Sequence, residues 1–156
     1  MNDVVVVGGG AAGMMASLFA ARAGARVTLL DRNEKLGKKI YITGKGRCNL
    51  TNTADRDQFL ENVMRNPRFL YAALSVLDSG GLMNLVDFLG VPLKIERGDR
   101  VFPVSDRASD VTRALERALR ECGVQIRLNS RVSSLAKNSG RVAGVALENG
   151  DVLSFS

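Results

Sequence analysis

Histidine is absent from this 156-residue chain, and only two cysteines occur in it. Without imidazole there is no Ser-His-Asp triad, no His-ligated zinc and no histidine acid/base chemistry. Cys48 and Cys122 stand 74 positions apart. Two thiols build neither a four-Cys zinc site nor a disulfide framework, so no metal site is expected and free thiols suit a reducing cytoplasm. Aromatic residues make up 5% of the chain, and its arginines are scattered. The net charge of +6 therefore reads as a solvated surface or a site for an anionic ligand, and no nucleic-acid partner is expected. Internal repeats and low-complexity tracts are also missing. With 46% hydrophobic residues the chain is expected to form one domain that buries roughly two-thirds of its unfolded surface.

The longest uncharged run, Val4–Ala21, has 18 residues and touches the lower limit for a membrane span. Four of these are glycines, Asp3 stands where a signal peptide has a cation, and the two halves differ in period. No membrane partner is expected. Val4–Val7 instead predicts a strand buried on both faces, broken by Gly8–Gly10. Ala11–Ala23 predicts a helix with Met15, Leu18, Phe19 and Arg22 at helical spacing and Gly24 as its stop. Arg26–Asp31 predicts a second strand ending in an acid. The three together have the size of a βαβ crossover.

Arg32–Thr53 reads as a long polar excursion. Two short helices follow over Leu70–Leu77 and Leu82–Leu89, punctuated by Gly80, Gly81 and Gly90. Leu93–Ile95 and Arg100–Phe102 are placed to pair across the ERGD turn. Ser109 is expected to cap an amphipathic helix whose apolar face carries Val111, Ala114, Leu115, Ala118, Leu119 and Cys122, and which Gly123 ends. Arg113, Arg117 and Arg120 lie opposite, with a Glu116–Arg120 pair. Val124–Leu128 predicts the next strand. Arg131–Lys137, Arg141–Leu147 and Val152–Phe155 predict an antiparallel meander joined at NSG and NG turns.

Gly8-x-Gly10-x-x-Gly13 carries the chemistry. Such a triplet alone is weak, but this one follows a strand, opens a helix and has Asp31 eighteen residues beyond Gly13. Gly8 makes the tight turn, Gly10 leaves room for a pyrophosphate, and Gly13 lets helix and strand pack closely. The helix start offers N–H groups and a positive dipole end. Asp31 is placed to accept hydrogen bonds from a ribose diol and to repel a 2′-phosphate. The plainer alternative is that the glycines turn the chain and Asp31 ends a strand. A Walker A loop is excluded, because Lys45 precedes Gly46 and no G-x-x-x-x-G-K-[ST] occurs. A plain nicotinamide domain would place its third parallel strand soon after Asp31, whereas here it waits until Val124. The cationic loop Gly37–Asn52, GKKIYITGKGRCNLTN, is suited to approach a flat ring or a pyrophosphate, or else is a flexible surface loop.

Four segments, VVVVGGGAAG, VTLLDRNEKLGKK, ITGKGRCNLTN and RVFPVSDRASDV, resemble the N-terminal part of the BaiN-type NAD(P)/FAD-dependent oxidoreductases. TGKGRCN is the most specific of these. The resemblance runs from about Val4 to the end and implies an α/β fold: a Rossmann-like FAD-binding domain of the two-dinucleotide-binding flavoprotein type, with the antiparallel meander attached. It implies FAD as cofactor and NAD(P)H as electron donor. Gly8, Gly10, Ala12 and Gly13 would surround the pyrophosphate, Asp31 would hold the ribose, and Arg32 would lie beside adenine. Lys38, Lys39, Thr43, Gly44, Arg47 and Asn49 match the loop along the cofactor, and Val132 matches the position whose backbone meets adenine. Asp31 stands where many relatives carry Glu. The implied reaction passes hydride from NAD(P)H through FAD to an unidentified small organic acceptor, in some relatives an activated C=C bond. Arg47 and Lys45 would stabilise negative charge on the reduced ring.

Family members are longer, so residues 1–156 are expected to be the FAD-binding domain alone, without the substrate domain and the C-terminal FAD segment. The alternative function is a catalytically inactive fragment that binds a dinucleotide or is completed by a partner. The strand Val4–Val7 would then keep a bare edge prone to self-association. Cys48 reads as a packing or backbone-anchoring residue rather than a redox thiol, and Cys122 as core.

Overall fold

The computed structural model describes residues 3–154. Along the chain run β1 (Asp3–Val7), α1 (Ala11–Arg22), β2 (Arg26–Leu30), a kinked run of 3-10 turns (Ile40–Gly46), β3 (Thr51–Asn52) and α2 (Arg56–Glu61). A 3-10 turn (Pro67–Leu70), α3 (Tyr71–Val76), α4 (Ser79–Phe88), β4 (Leu93–Glu96), β5 (Arg100–Pro103) and α5 (Ala108–Glu121) come next. The chain closes with β6 (Gln125–Arg127), β7 (Val132–Asn138), β8 (Arg141–Leu147) and β9 (Val152–Ser154). Phe155, the expected last residue of that strand, lies outside the described residues. Two compact units result: residues 1–40 with 115–156, and residues 41–114. The second is thus an insertion in the sequence of the first.

In the first unit β1, β2 and β6 form a parallel sheet in the order β1-β2-β6, with Val5 opposite Thr28 and Leu29 opposite Ile126. Adjacent residues of a strand point to opposite faces. Leu29 and Leu30 are both fully buried, so β2 is covered on both. Leu30 packs with Val145 and Leu147 of the antiparallel β7-β8-β9 meander, beside Val5, Val132 and Leu153. The third parallel strand does follow the amphipathic helix, as its delayed position in the sequence implied.

Two expectations change here. β1 is not buried on both faces: among the described residues it pairs with β2 alone, residues 3–6 are half-buried, and Val7 is 56% exposed. The valine run reads as central from hydropathy, but β2 occupies the centre of this sheet. In α1 the buried face is Met14, Ser17 and Leu18, while Phe19 and Arg22 face outward. The helix is turned by about one residue from the expected face because Gly13 sits against the strand.

Among the described residues the Ser17 hydroxyl has no hydrogen-bond partner, and it is fully buried. A stranded buried hydroxyl costs about 1–3 kcal/mol. Ser17→Ala is therefore expected to raise the unfolding free energy by about 1 kcal/mol, measured by urea denaturation; a decrease would mean that the hydroxyl is satisfied.

The second unit holds the sheet β3-β5-β4, with Leu93–Glu96 antiparallel to Arg100–Pro103 as the sequence suggested. Val101 and Phe102 form its centre. β3 and α2 were not foreseen. Asp55 starts α2 through a capping box, accepting the Gln58 N–H while its own N–H donates to the Gln58 side chain. Gly80 and Gly81 do not interrupt the chain but lie inside α4, because Asp78 caps that helix and accepts the Gly81 N–H at 2.7 Å. Residues 67–88 are apolar enough to suggest a membrane span. Leu77 and Asp78 are extended, however, and split the segment into two runs of ten residues, 67–76 and Ser79–Phe88, each far below the about 20 a crossing needs.

Ser109 does not cap α5. The helix begins at Ala108, and Asp110 supplies the acidic group of its first turn. Its apolar face is as expected for Val111, Ala114, Leu115, Ala118 and Leu119, which are buried, whereas Cys122 is half-buried. Arg120 pairs with Glu116 at 2.7 Å.

Candidate functional site

The turn between β1 and α1 is fixed by its own main chain. Gly8 has φ +104°, a backbone conformation that favours glycine, and its N–H donates to the Leu30 carbonyl at 2.7 Å. The Gly9 N–H donates to Asp31 Oδ2 at 2.6 Å, and the Gly9 carbonyl accepts the Gly37 N–H at 2.8 Å. A Cβ on Gly9 would overlap the buried Leu36 side chain and come within 3.0 Å of Asp31 Oδ2. A Cβ on Gly13 would overlap the Gly8 carbonyl oxygen, so this glycine sets the contact between helix and strand. A Cβ on Gly10 would meet nothing within 4 Å. The three glycines of the motif thus do different work.

Gly10 is also the N-cap of α1. It is extended, has no side chain to cap the helix, and no acidic residue occupies the first turn. The first N–H groups of a helix have no partner within it. At Ala11, Ala12 and Gly13 they meet the positive end of the helix dipole beside the open space at Gly10, an arrangement that binds anions.

Asp31 follows β2 and is 7% exposed. Besides Gly9, its carboxylate accepts the Asn33 N–H at 2.7 Å and the Asn33 side-chain amide at 2.8 Å, both on Oδ1. Its carbonyl accepts the Ser130 N–H at 2.8 Å. A cleft of about 350 Å³ opens here at the carboxyl ends of β1 and β2, lined in part by Gly8, Asp31, Arg32, Asn33, Ser130 and Val132. Ligands of open α/β sheets bind at these ends. A larger cleft of about 450 Å³ lies by Asp3, Arg26 and Gln125, but at the opposite strand ends, where Arg26 and Asp3 bond to each other through two hydrogen bonds of 2.6 and 2.7 Å. The smaller cleft is the better site.

Four of the expected residues, Gly8, Asp31, Arg32 and Val132, therefore share one cleft, with Gly10, Ala12 and Gly13 on the adjoining turn and helix start. Lys38 and Lys39 follow on the same unit and are exposed, Lys38 paired with Glu34 at 2.8 Å. The sequence reading missed Gly9, Asn33, Leu36 and Ser130. An acid followed two residues later by Asn is a local turn signal that would have suggested Asn33.

Thr43, Gly44, Arg47 and Asn49 belong to the second unit. Their loop is not a flexible surface segment. Gly44, Lys45, Gly46 and Cys48 all have positive φ, from +56° to +89°. A Cβ on Gly44 would come within 2.8 Å of both the Phe102 ring and the Asn49 nitrogen, and the Leu50 N–H donates to the Val101 carbonyl at 2.9 Å. The Arg47 guanidinium lies 4.2 Å from the centre of the Phe102 ring. It donates to Glu96 at 2.9 and 3.1 Å and to Asp106 at 3.3 Å, while Lys94 bonds Asp106 at 2.7 Å. In the sequence reading Arg47 offers its charge to a cofactor; here two carboxylates take it. Thr43 and Asn49 are exposed. Cys48 is buried, and burial pushes its thiol pKa up against a hydrogen bond with Thr43. That suits a packing residue and not a nucleophile.

Glu96 and Asp106 titrate below the ordinary carboxylate range, Glu96 chiefly through its bond from Arg47 and Asp106 through that from Lys94. A carboxylate depressed by folding contributes stability above its unfolded pKa and loses it as pH falls through the folded value. Amide exchange over residues 43–49, corrected for intrinsic rates, is therefore expected to stay constant from neutral pH down to the ordinary carboxylate range and to rise below it. Uniform protection at all pH values would remove the ion pairs from the loop's support.

The parallel sheet, the glycine turn at its carboxyl end and the acid after β2 define a Rossmann-like dinucleotide-binding domain. The chain belongs to the FAD-binding oxidoreductase family described as HI0933-like protein Rossmann domain, which it matches over residues 2–156. It is 38% identical over 137 residues to the 3-dehydro-bile acid delta(4,6)-reductase of Clostridium scindens, covering 86% of this chain and 33% of that protein. It is 34% identical over 137 residues to the ribosomal RNA dihydrouridine synthase of Escherichia coli, covering 87% and 33%. Among solved structures, the 3-ketosteroid-delta4-(5alpha)-dehydrogenase of Rhodococcus jostii superposes with a TM-score of 0.70 at 19% identity, over 98% of this chain and 44% of that one, a likeness of fold. The chain spans about a third of the length of the curated relatives.

Proposed function

We propose that this chain is the FAD-binding portion of a cytoplasmic flavin oxidoreductase that takes reducing equivalents from NAD(P)H and delivers them to an activated carbon–carbon double bond of a small organic acceptor. The names of the two relatives support the last step, since a delta(4,6)-reductase and a dihydrouridine synthase both imply saturation of a C=C bond. The observation that carries the reading is the open space at Gly10 beside the unpaired amides of the α1 start. When bound, FAD supplies electron-transfer chemistry that no side chain here possesses. The residues present fit it. The amides of Ala11, Ala12 and Gly13 would hold the diphosphate, and Asp31 would offer an acceptor to a ribose diol. Arg32 and Val132, which line the cleft, would lie beside adenine. Two thiols outside any disulfide support the cytoplasmic setting.

The test is thermal unfolding with added FAD. At a hundredfold excess over Kd, binding is expected to stabilise the protein by about 2.7 kcal/mol. No shift at high micromolar FAD would overturn the reading. Bleaching of bound flavin by NADPH or NADH supports electron entry. Bound flavin that neither donor reduces favours the second reading, a dinucleotide-binding piece completed by further chain or a partner, which the one-third coverage of the relatives motivates. Turnover on RNA instead of small enones would revise the acceptor. The unpaired edge of β1 is the proposed surface for self-association, checked by sedimentation across micromolar concentrations.

A further inference from the structure

We infer that a ribose in the cleft at Asp31 is read by two residues, Asp31 taking one hydroxyl and the side-chain amide of Asn33 the other. The inference rests on the FAD reading above and deepens it by adding Asn33 to the binding residues. Every residue it uses belongs to the first unit.

The capacity of Asp31 sets the division. A carboxylate has about four acceptor positions, two on each oxygen. Oδ1 already accepts the Asn33 N–H at 2.7 Å and the Asn33 side-chain N–H at 2.8 Å, and Oδ2 accepts the Gly9 N–H at 2.6 Å. Among the described residues one position remains, on Oδ2. A grip on a vicinal diol with one oxygen for each hydroxyl is therefore closed to Asp31. A second hydroxyl on Oδ2 would displace the Gly9 N–H and loosen the glycine turn.

Asn33 has what Asp31 lacks. Its main chain is held on both sides, its N–H by Asp31 and its carbonyl by the Asn129 N–H at 3.0 Å. Its side chain is oriented by charge: a carboxylate attracts an N–H and repels a carbonyl oxygen, which keeps Nδ2 and not Oδ1 against Asp31. Asn33 Oδ1 and the second hydrogen on Nδ2 are then without a partner among the described residues. Asn33 lines the cleft with Asp31, Arg32 and Ser130. A ribose hydroxyl both donates and accepts, and this amide still offers both. Ser130 gives its only hydroxyl hydrogen to the Leu128 carbonyl at 3.0 Å, and Arg32 offers donors alone.

The probes are ADP, 2′-deoxy-ADP and 3′-deoxy-ADP, titrated by calorimetry against the wild type and Asn33→Leu, with FAD alongside. Leucine keeps the branched shape of asparagine and offers neither donor nor acceptor. In the wild type, loss of either hydroxyl is expected to weaken binding by about three- to tenfold. In Asn33→Leu one of the two costs is expected to vanish and the other to persist. Two costs that survive together or vanish together in this variant would overturn the separate role of Asn33. A wild type indifferent to one or both deletions would overturn the division without any variant. Protein that binds FAD but ignores both deletions fails this inference alone, whereas protein that binds neither ADP nor FAD fails the reading beneath it as well.

Discussion

Gly13→Ala is expected to destabilise the first unit by about 3 kcal/mol or more, because the added methyl lands on the Gly8 carbonyl oxygen. Neither partner has an easy way out. Gly8 is held by its N–H bond to the Leu30 carbonyl and by its left-handed φ, and α1 is held by Met14 and Leu18 in the core. For a chain of this length that loss lowers Tm by about 10 °C. Circular dichroism melts of the two proteins check it. A Tm within about two degrees of wild type, a loss of about 0.5 kcal/mol, would mean that helix and strand are farther apart than described. FAD affinity should fall as well, since the turn and the helix start move together.

Gly10→Val is expected to do the opposite: to leave the fold intact and to abolish nucleotide binding. Nothing lies within 4 Å of a Cβ at this position, and its φ of −76° is ordinary for any residue. The valine costs little stability, on the order of 0.5 kcal/mol as for an uncrowded surface change. Its methyls fill the space next to the free amides of α1. A diphosphate kept from those donors loses several charge-assisted hydrogen bonds, so FAD affinity should drop by about a hundredfold or more, at roughly 1.5–3 kcal/mol for each bond. Flavin fluorescence titration and a parallel melt separate the two effects. Unchanged affinity with an unchanged melt would detach the glycine motif from the cofactor.

The contrast between these two glycines shows what the sequence reveals. The strand–turn–helix was legible because its causes are local: a β-branched run, a glycine triplet and an acid after the next strand. Gly13 sets the close contact of helix and strand that its spacing implied, and Gly10 has open space beside it. Gly9 was not legible, because its constraint comes from Leu36 and Asp31 after the next strand. Arg47 looked like a free cation because its partners Glu96 and Asp106 lie 49 and 59 residues away. The two-residue strand β3 was invisible for the same reason: it exists through pairing with Val101 and Arg100. Gly80 and Gly81 misled because glycine's low helix propensity was weighed without the Asp78 cap. Periodicity found α5 and its buried face, yet placed the α1 face wrongly, since close packing at Gly13 decides which side of that helix meets the sheet.

One measurement bears most directly on the whole reading: a crystal structure of the protein grown with FAD. The diphosphate is expected within hydrogen-bond distance of the main-chain nitrogens of Ala11, Ala12 and Gly13, passing over Gly10, with the adenosine end in the cleft beside Asp31 and Val132. Clear density for FAD elsewhere, with those amides facing solvent, would contradict it.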